Sequence, residues 1–168
     1  MNPEARGPEP LYFEDLRVGQ RFLSGSYRID EDRMKAFAAE FDPQPFHLDA
    51  IAAEASFFRG LAASGWYTAA VAMRLLTTSG LHIANGLIGL GGEIEWPRPT
   101  RAGDVLTVES EILEITPSRS KPHQGIVKIR STARNQNGQP AQIFTAKILV
   151  FRRPPGENTL SNELPVRG

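Results

Sequence analysis

The stretch Phe41-Asp42-Pro43-Gln44-Pro45-Phe46-His47-Leu48-Asp49 places a carboxylate and an imidazole five residues apart, with two prolines between them. Proline fixes its own φ angle and disfavours helix in the residue before it, so we expect residues 42–45 to form a rigid, non-helical turn. A rigid turn of this kind can place two proton-handling groups around one water molecule. Asp42 and His47 are therefore the first candidates for acid–base catalysis.

The same residue types also have purely structural interpretations. Asp42 can cap a short helix after the prolines, and His47 can be a hydrogen-bonded, partly buried histidine. Asp49 is best read as a carboxylate at a helix N-terminus, where the helix dipole favours negative charge. The choice between structure and catalysis depends on the rest of the chain.

Composition limits the classes of function. The 168 residues suggest one domain that is large enough to bury a core. Nineteen basic and nineteen acidic residues cancel, so no overall field favours nucleic acid or an anionic membrane as a partner. The absence of cysteine excludes disulfides, thiolate catalysis and cysteine-based zinc sites, and three scattered histidines make no metal site.

The ends of the chain differ in composition from its middle. The start is polar and proline-rich without the apolar stretch of a secretory signal, and no apolar run reaches the roughly 20 residues that span a bilayer. We therefore expect a soluble, cytoplasmic protein with a flexible tail at residues 1–10, one domain at 11–153 and a second flexible tail at 154–168.

The first half of the domain has mainly helical patterns. A strand is predicted over residues 21–29, a helix over 31–41 with Asp30 as its N-cap, and a short helix over 47–57. Residues 66–76 form a further helix whose only strongly polar side chain is Arg74. A helix that is apolar nearly all round is expected to be buried.

From Leu87 onward the hydrophobic period changes to two. Alternation over residues 88–96, 106–112, 127–133 and 144–150 predicts antiparallel strands with one wet face. A glycine-rich stretch at residues 86–92 indicates a bulge or a close approach of another backbone. A sheet with one apolar face must cover something, and the buried helix is the obvious object. The predicted fold class is α+β, a curved antiparallel sheet wrapped around a long central helix.

This order of elements resembles the hotdog fold, and the proline-containing stretch resembles the signature of the MaoC-like (R)-specific enoyl-CoA hydratases and dehydratases. That signature, Gly-Asp-x-Asn-Pro-aliphatic-His-x-Asp/Asn, is matched at Asp42, Pro45, His47 and Asp49. Residues 96–104 also resemble the turn between sheet strands that is common in the family. The resemblance covers about residues 11–152.

Three positions depart from the signature. Phe41 replaces the glycine before the aspartate, Gln44 replaces the usual asparagine, and Phe46 replaces a smaller aliphatic residue. Glutamine keeps the amide donors and acceptor but moves them by one methylene group. The resemblance therefore supports the general activity better than any particular substrate.

The resemblance implies a mechanism for the reversible hydration of a trans-2-enoyl-CoA to an (R)-3-hydroxyacyl-CoA. Asp42 would be the main base and His47 the partner that holds the water, while the N–H of Gly65 at the start of the central helix would stabilise the enolate oxygen. No cofactor is expected beyond the coenzyme A of the substrate, because the thioester itself acidifies C2. We expect four further residues to contact the substrate: Gln44, Phe46, Ser64 and Trp66.

Several alternatives stay open at this point. Gly65 can be a glycine required by tight packing, and Ser64 can cap the central helix. A hotdog thioesterase would direct water at C1, and a catalytically silent acyl-thioester-binding protein would do neither reaction. The loop at residues 118–123 carries two cations that can meet the phosphates of coenzyme A, although a solvated hairpin tip is the simpler interpretation. The resemblance also implies at least a homodimer, in which two sheets join and remove an exposed edge strand.

Overall fold

The computed structural model describes residues 9–156, and the predicted tails lie largely outside them, at residues 1–8 and 157–168. Its one sheet has five antiparallel strands in the order β1-β3-β4-β5-β2. The elements in chain order are a 3₁₀ turn at Phe13–Asp15, β1 Arg21–Arg28, α1 Glu31–Phe41, α2 Pro45–Leu48, α3 Ala50–Glu54, α4 Gly65–Leu75, a π-helical turn at Leu76–Gly80, β2 Ile88–Glu95, β3 Val105–Pro117, β4 Gln124–Arg134 and β5 Pro140–Phe151. This arrangement confirms the predicted α+β hotdog fold.

The core lies between α4 and the inner face of the sheet. Tyr67, Val71 and Leu75 come from one side of α4 and pack against Leu106 and Val108 of β3. A second cluster joins the ends of β3, β4 and β5 to the N-terminal segment. The helix is thus fixed along its length, which gives its N-terminus a defined position over the sheet.

Local sequence explains how the helices before α4 begin and end. Asp30 caps α1 by accepting the Arg33 N–H at 2.9 Å, as predicted. The helix that we expected over residues 47–57 is divided into α2 and α3 instead. Asp49 has an extended backbone between them, and its side chain accepts the Ala52 N–H at 2.7 Å. The chain therefore begins a new helix after Asp49 instead of continuing α2.

The central helix is less buried than its sequence predicts. Trp66 is 59% exposed and Met73 is 43% exposed, because the sheet covers only one side of α4 in the single chain. We also expected one face of β2 to be buried, and this prediction is wrong. The strand lies at the edge of the sheet, where it pairs only with β5, and its Leu90 side chain is 52% exposed.

The glycine-rich stretch behaves as predicted. The register of β2 against β5 shifts between Gly89 and Gly91, which is a bulge. Gly92 packs so closely on the backbone of Thr145 that it leaves no room for a β-carbon. Within residues 9–156, no helix is long and apolar enough to cross a membrane.

Candidate active site

Three helix ends bring the candidate residues together. Asp42 is the C-terminal cap of α1, His47 lies in α2, and Ser64 is the N-cap of α4. Asp42 does not cap α2, because Gln44 occupies that N-cap position and makes no side-chain capping bond. The structural alternative for Asp42 is therefore wrong, and its carboxylate is available to its neighbours in space.

The predicted pair of Asp42 and His47 is in contact. His47 Nε2 lies 3.3 Å from Asp42 Oδ2, and the two side chains are only 6% and 17% exposed, respectively. On the other side of the imidazole ring, Nδ1 lies 2.8 Å from the carbonyl oxygen of Ala62. A carbonyl only accepts hydrogen bonds, so Nδ1 carries a hydrogen, and in neutral His47 the lone pair on Nε2 faces the carboxylate. Two acceptors that face each other are suited to a shared proton donor such as water.

Both oxygens of Asp42 accept hydrogen bonds from neighbouring side chains. The Ser64 hydroxyl donates to Oδ2 at 2.7 Å and the Gln44 amide donates to Oδ1 at 2.6 Å. Burial raises the pKa of Asp42, but the hydrogen bonds from Ser64 and Gln44 and the positive charge of His47 in its protonated form outweigh it and lower the pKa below its ordinary value. These contacts thus favour the ionised form of Asp42.

Ser64 links the Asp42 carboxylate to the central helix. Its side chain is fully buried, and while its hydroxyl donates to Asp42, its oxygen accepts the Trp66 N–H at 3.2 Å. One residue therefore caps α4 and orients the carboxylate. The prediction that Ser64 caps the central helix is confirmed. The same residue also belongs to the candidate site, because its hydroxyl binds Asp42.

Gly65 is the first residue of α4 and lines the same pocket. An N–H at this position has no acceptor within its own helix, and no hydrogen bond from it to another described residue is seen. A β-carbon at Gly65 would lie 2.7 Å from Cε2 and 2.8 Å from Cδ2 of the Trp96 indole. Packing therefore requires glycine here, and the same residue presents an unpaired N–H.

Six of the seven candidate residues line one pocket of about 550 Å³, and the seventh, Ser64, donates a hydrogen bond to Asp42 in its wall. Its closed end is formed by His47 and by Ala63, Thr68 and Thr100, which are each at most 6% exposed. Its open end is aromatic. The other lining residues are Asp42, Gln44, Phe46, Phe57, Phe58, Gly65, Trp66, Trp96, Pro97, Arg98 and Pro99.

The predicted substrate contacts Phe46 and Trp66 are both pocket residues. The ring of Phe46 lies edge-on to His47, with centroids 4.6 Å apart, and Trp66 meets Trp96 edge-on at 5.3 Å. The structure thus brings all seven predicted site residues together around the pocket or directly behind it.

Sequence reasoning missed several members of this pocket. Phe57 and Phe58 were treated only as the end of a helix, Trp96 as the end of a strand and the start of a turn, and Thr100 only as part of that turn. The signal that could have found them is the aromatic and proline content of those two loops. Their approach to α4 depends on long-range packing, which local patterns do not report.

Arg101 also escaped notice, and it holds one wall of the pocket. Its guanidinium donates to the carbonyl oxygens of Phe58 at 2.5 Å, Gly60 at 2.6 Å and Leu61 at 2.9 Å. These carbonyls belong to a turn in which Arg59 has a φ of 51°. The next residue, Ala62, carries the carbonyl that binds His47. Arg101 therefore fixes the segment that orients the imidazole.

Other features from the sequence lie away from the pocket. Neither the loop at residues 118–123 nor His82 lines it, and Tyr67 is buried against Phe37 in the core. Within residues 9–156, no group of three or more His, Asp or Glu side chains is arranged to hold a metal ion.

Comparison with known proteins gives a consistent family. The sequence profile of the MaoC like domain matches residues 15–135. The crystal structure of a MaoC-like dehydratase from Rhodospirillum rubrum is 58% identical in sequence, has a TM-score of 0.85 and covers 86% of this chain and 99% of that chain. R-hydratase PhaJ1 from Pseudomonas aeruginosa is 30% identical with a TM-score of 0.70, over 86% of this chain and 88% of that chain. The 3-hydroxybutyryl-CoA dehydratase of Methylorubrum extorquens is 30% identical over 121 residues, which are 72% of this chain and 74% of that relative.

Proposed function

Because the chain belongs to the MaoC-like dehydratase family, we propose that it catalyses the reversible addition of water to a trans-2-enoyl-CoA, giving an (R)-3-hydroxyacyl-CoA. The observation that carries this proposal is the pair of Asp42 and His47, with Oδ2 and Nε2 3.3 Å apart at the closed part of a pocket that also contains the start of α4. The similarity to an R-hydratase and to a 3-hydroxybutyryl-CoA dehydratase supports the same reaction class.

In the hydration direction, a water molecule donates one hydrogen to Asp42 and the other to Nε2 of His47. Asp42 removes a proton as the water oxygen forms a bond to C3, and the π electrons move towards the thioester oxygen. The Asp42–His47 pair then returns a proton to C2, so that one water has been added across the double bond. The lowered pKa of Asp42 keeps the base ionised before the reaction begins.

The negative charge that develops on the thioester oxygen needs a hydrogen-bond donor. The Gly65 N–H is suited to this role because it lies at the positive end of the α4 dipole and has no intrahelical acceptor. Such a donor contributes about 10²–10³-fold to the rate in other enzymes. Trp96 forces the residue to be glycine, so the thioester can approach this N–H without a side chain between them.

The pantetheine arm of coenzyme A would leave through the aromatic open end, which Arg98 and Trp66 border. A second copy of the chain is part of this proposal. The exposed β2 edge and the exposed face of α4 both carry apolar side chains, and pairing of β2 with β2 of another copy would cover them.

Incubation of the purified protein with crotonyl-CoA tests the proposed reaction. Loss of the enoyl absorbance without release of thiol is the expected result. Release of free coenzyme A would show a thioesterase instead, and binding without either change would show a silent acyl-thioester-binding protein. Asp42→Asn and His47→Ala should each lower kcat by roughly 10²–10⁴-fold. Full activity of both variants would contradict the assignment of the site.

A further inference from the structure

The closed end of the pocket has a polar pair that the hydration chemistry does not use. Thr68 and Thr100 line the pocket and are only 2% and 3% exposed. The Thr68 hydroxyl donates to Thr100 Oγ1 at 2.9 Å and also lies 3.3 Å from the carbonyl oxygen of Ser64. With Thr68 as the donor, the hydroxyl hydrogen of Thr100 has no acceptor among the described residues. A buried donor without a partner costs free energy unless a ligand supplies the acceptor.

The position of this pair relates it to the acyl chain. Thr68 follows Gly65 by three residues, so it lies about 4.5 Å further along the helix axis. A helical N–H points towards the N-terminus, so a thioester oxygen held at Gly65 lies about 2.9 Å beyond that nitrogen, on the side away from Thr68. A hydrogen bond of about the same length reaches back from Thr100, so three or four carbon–carbon bonds of a zigzag chain cover the remaining distance. The fourth or fifth atom of the acyl chain therefore reaches the threonine pair.

The charges around the pocket define which oxygen fits there. Asp42 lies near the closed end, and its ionised carboxylate repels a second anion. The cation that lines the pocket, Arg98, is exposed at the open end. A carboxylate on the acyl chain would thus meet the ionised Asp42 with no lysine or arginine in the pocket lining at that end, whereas a neutral oxygen would meet the Thr100 hydroxyl.

Resting on the proposed hydratase function, we infer that the substrate is an enoyl thioester with a neutral oxygen, as an ether, keto or hydroxyl group, at about the fourth or fifth position of its acyl chain. The Thr100 hydroxyl donates a hydrogen bond to this oxygen, and Thr68 orients that hydroxyl by donating to its oxygen atom. The subsite selects such a chain over a hydrocarbon chain of equal length.

Two thioesters of equal length test this inference: 4-methoxybut-2-enoyl-CoA and hex-2-enoyl-CoA, which differ by one oxygen in place of one methylene group. The wild-type protein should favour the methoxy compound in kcat/KM by about tenfold, the effect of one additional hydrogen bond. Thr100→Val should bring the ratio close to one, and Thr100→Ser should restore it. Thr132→Val, a change of the same type at a threonine of β4 that does not line the pocket, should keep the wild-type ratio.

A wild-type ratio of one or below, or the same ratio in wild type and Thr100→Val, would overturn the inference. Binding of the saturated counterparts, 4-methoxybutanoyl-CoA and hexanoyl-CoA, separates this subsite from the proposed reaction. If no enoyl thioester is hydrated but the methoxy compound binds about tenfold tighter and loses this advantage in Thr100→Val, the subsite stands and the hydratase proposal fails. Equal dissociation constants for the two saturated compounds would reject the subsite.

Discussion

The Gln44 side-chain amide donates to Asp42 Oδ1 at 2.6 Å, on the carboxylate oxygen opposite the one that Ser64 binds. The family signature has asparagine at this position, and the longer side chain of Gln44 still reaches the base. Despite the departure from the signature, this position therefore supplies a donor to Asp42. An exposed residue thus helps to lower the pKa of Asp42.

Removal of this donor should shift the pH dependence of the reaction. Gln44 lowers the pKa of Asp42, so Gln44→Ala should raise that pKa and move the acidic limb of the kcat/KM profile to higher pH. Gln139→Ala, at an exposed glutamine in the β4–β5 hairpin, serves as the control. Initial rates across the acidic range measure the shift. An acidic limb that coincides with that of the wild type would show that Gln44 does not tune the base.

Ser64→Ala should destabilise the protein in two separable ways. Loss of the N-cap costs about 1 kcal/mol at any pH. Loss of the hydrogen bond to Asp42 adds a cost that depends on pH. Folding lowers the pKa of Asp42, so the ionised carboxylate stabilises the fold fully above the ordinary carboxyl pKa, and this stabilisation is lost as the pH falls through the lowered value. Denaturant unfolding at neutral and at acidic pH should therefore give a smaller penalty in acid. A loss of stability that is the same at both pH values would mean that Ser64 stabilises the fold only as the N-cap of α4, and not through its hydrogen bond to Asp42.

A β-carbon at Gly65 should clash with Trp96, and the clash should be removable. Gly65→Ala is expected to lower the free energy of unfolding by about 1–3 kcal/mol because the indole has to move. In a Trp96→Ala background the space is free, so the same substitution should cost much less. Chemical denaturation of the four proteins in this double-mutant cycle measures the coupling. Additive effects would mean that packing against Trp96 does not dictate the glycine.

A charge on the exposed edge of β2 should separate the proposed dimer. Leu90→Lys places a cation where two β2 strands would pair, and it should convert a species of twice the 18.5 kDa chain mass into a monomer. Leu23→Lys is the matched control, since Leu23 is 67% exposed on β1 at the other edge of the sheet. Light scattering coupled to size-exclusion chromatography measures both masses. A wild-type monomer, or a dimer that survives Leu90→Lys, would reject this interface.

The sequence predicted the parts of the fold that local chemistry controls. The bounds of α1 follow from the Asp30 cap and the prolines after Phe41, and the contact between Asp42 and His47 follows from the same prolines. The division at Asp49 was missed because a carboxylate can sit within the first turn of one helix or cap the next, and only the final backbone geometry decides between these positions.

The rest of the site depends on contacts across the chain. Trp96 and Thr100 reach α4 from the connection between β2 and β3, and Arg101 reaches the turn before Ala62 from the same connection. These contacts form only when the sheet folds over the helix, so no periodicity near either segment reports them. The glycine at position 65 was noticed, but its steric reason lies 31 residues further along the chain.

The three carbonyl oxygens held by Arg101 share a single donor group. Release of the guanidinium would therefore leave all three oxygens without that donor together. The turn from Phe58 to Ala62 should exchange its amide hydrogens as one cooperative unit, and the orientation of His47 should be lost in the same event. The Arg101 guanidinium would thus hold the contact between Ala62 and His47 in place.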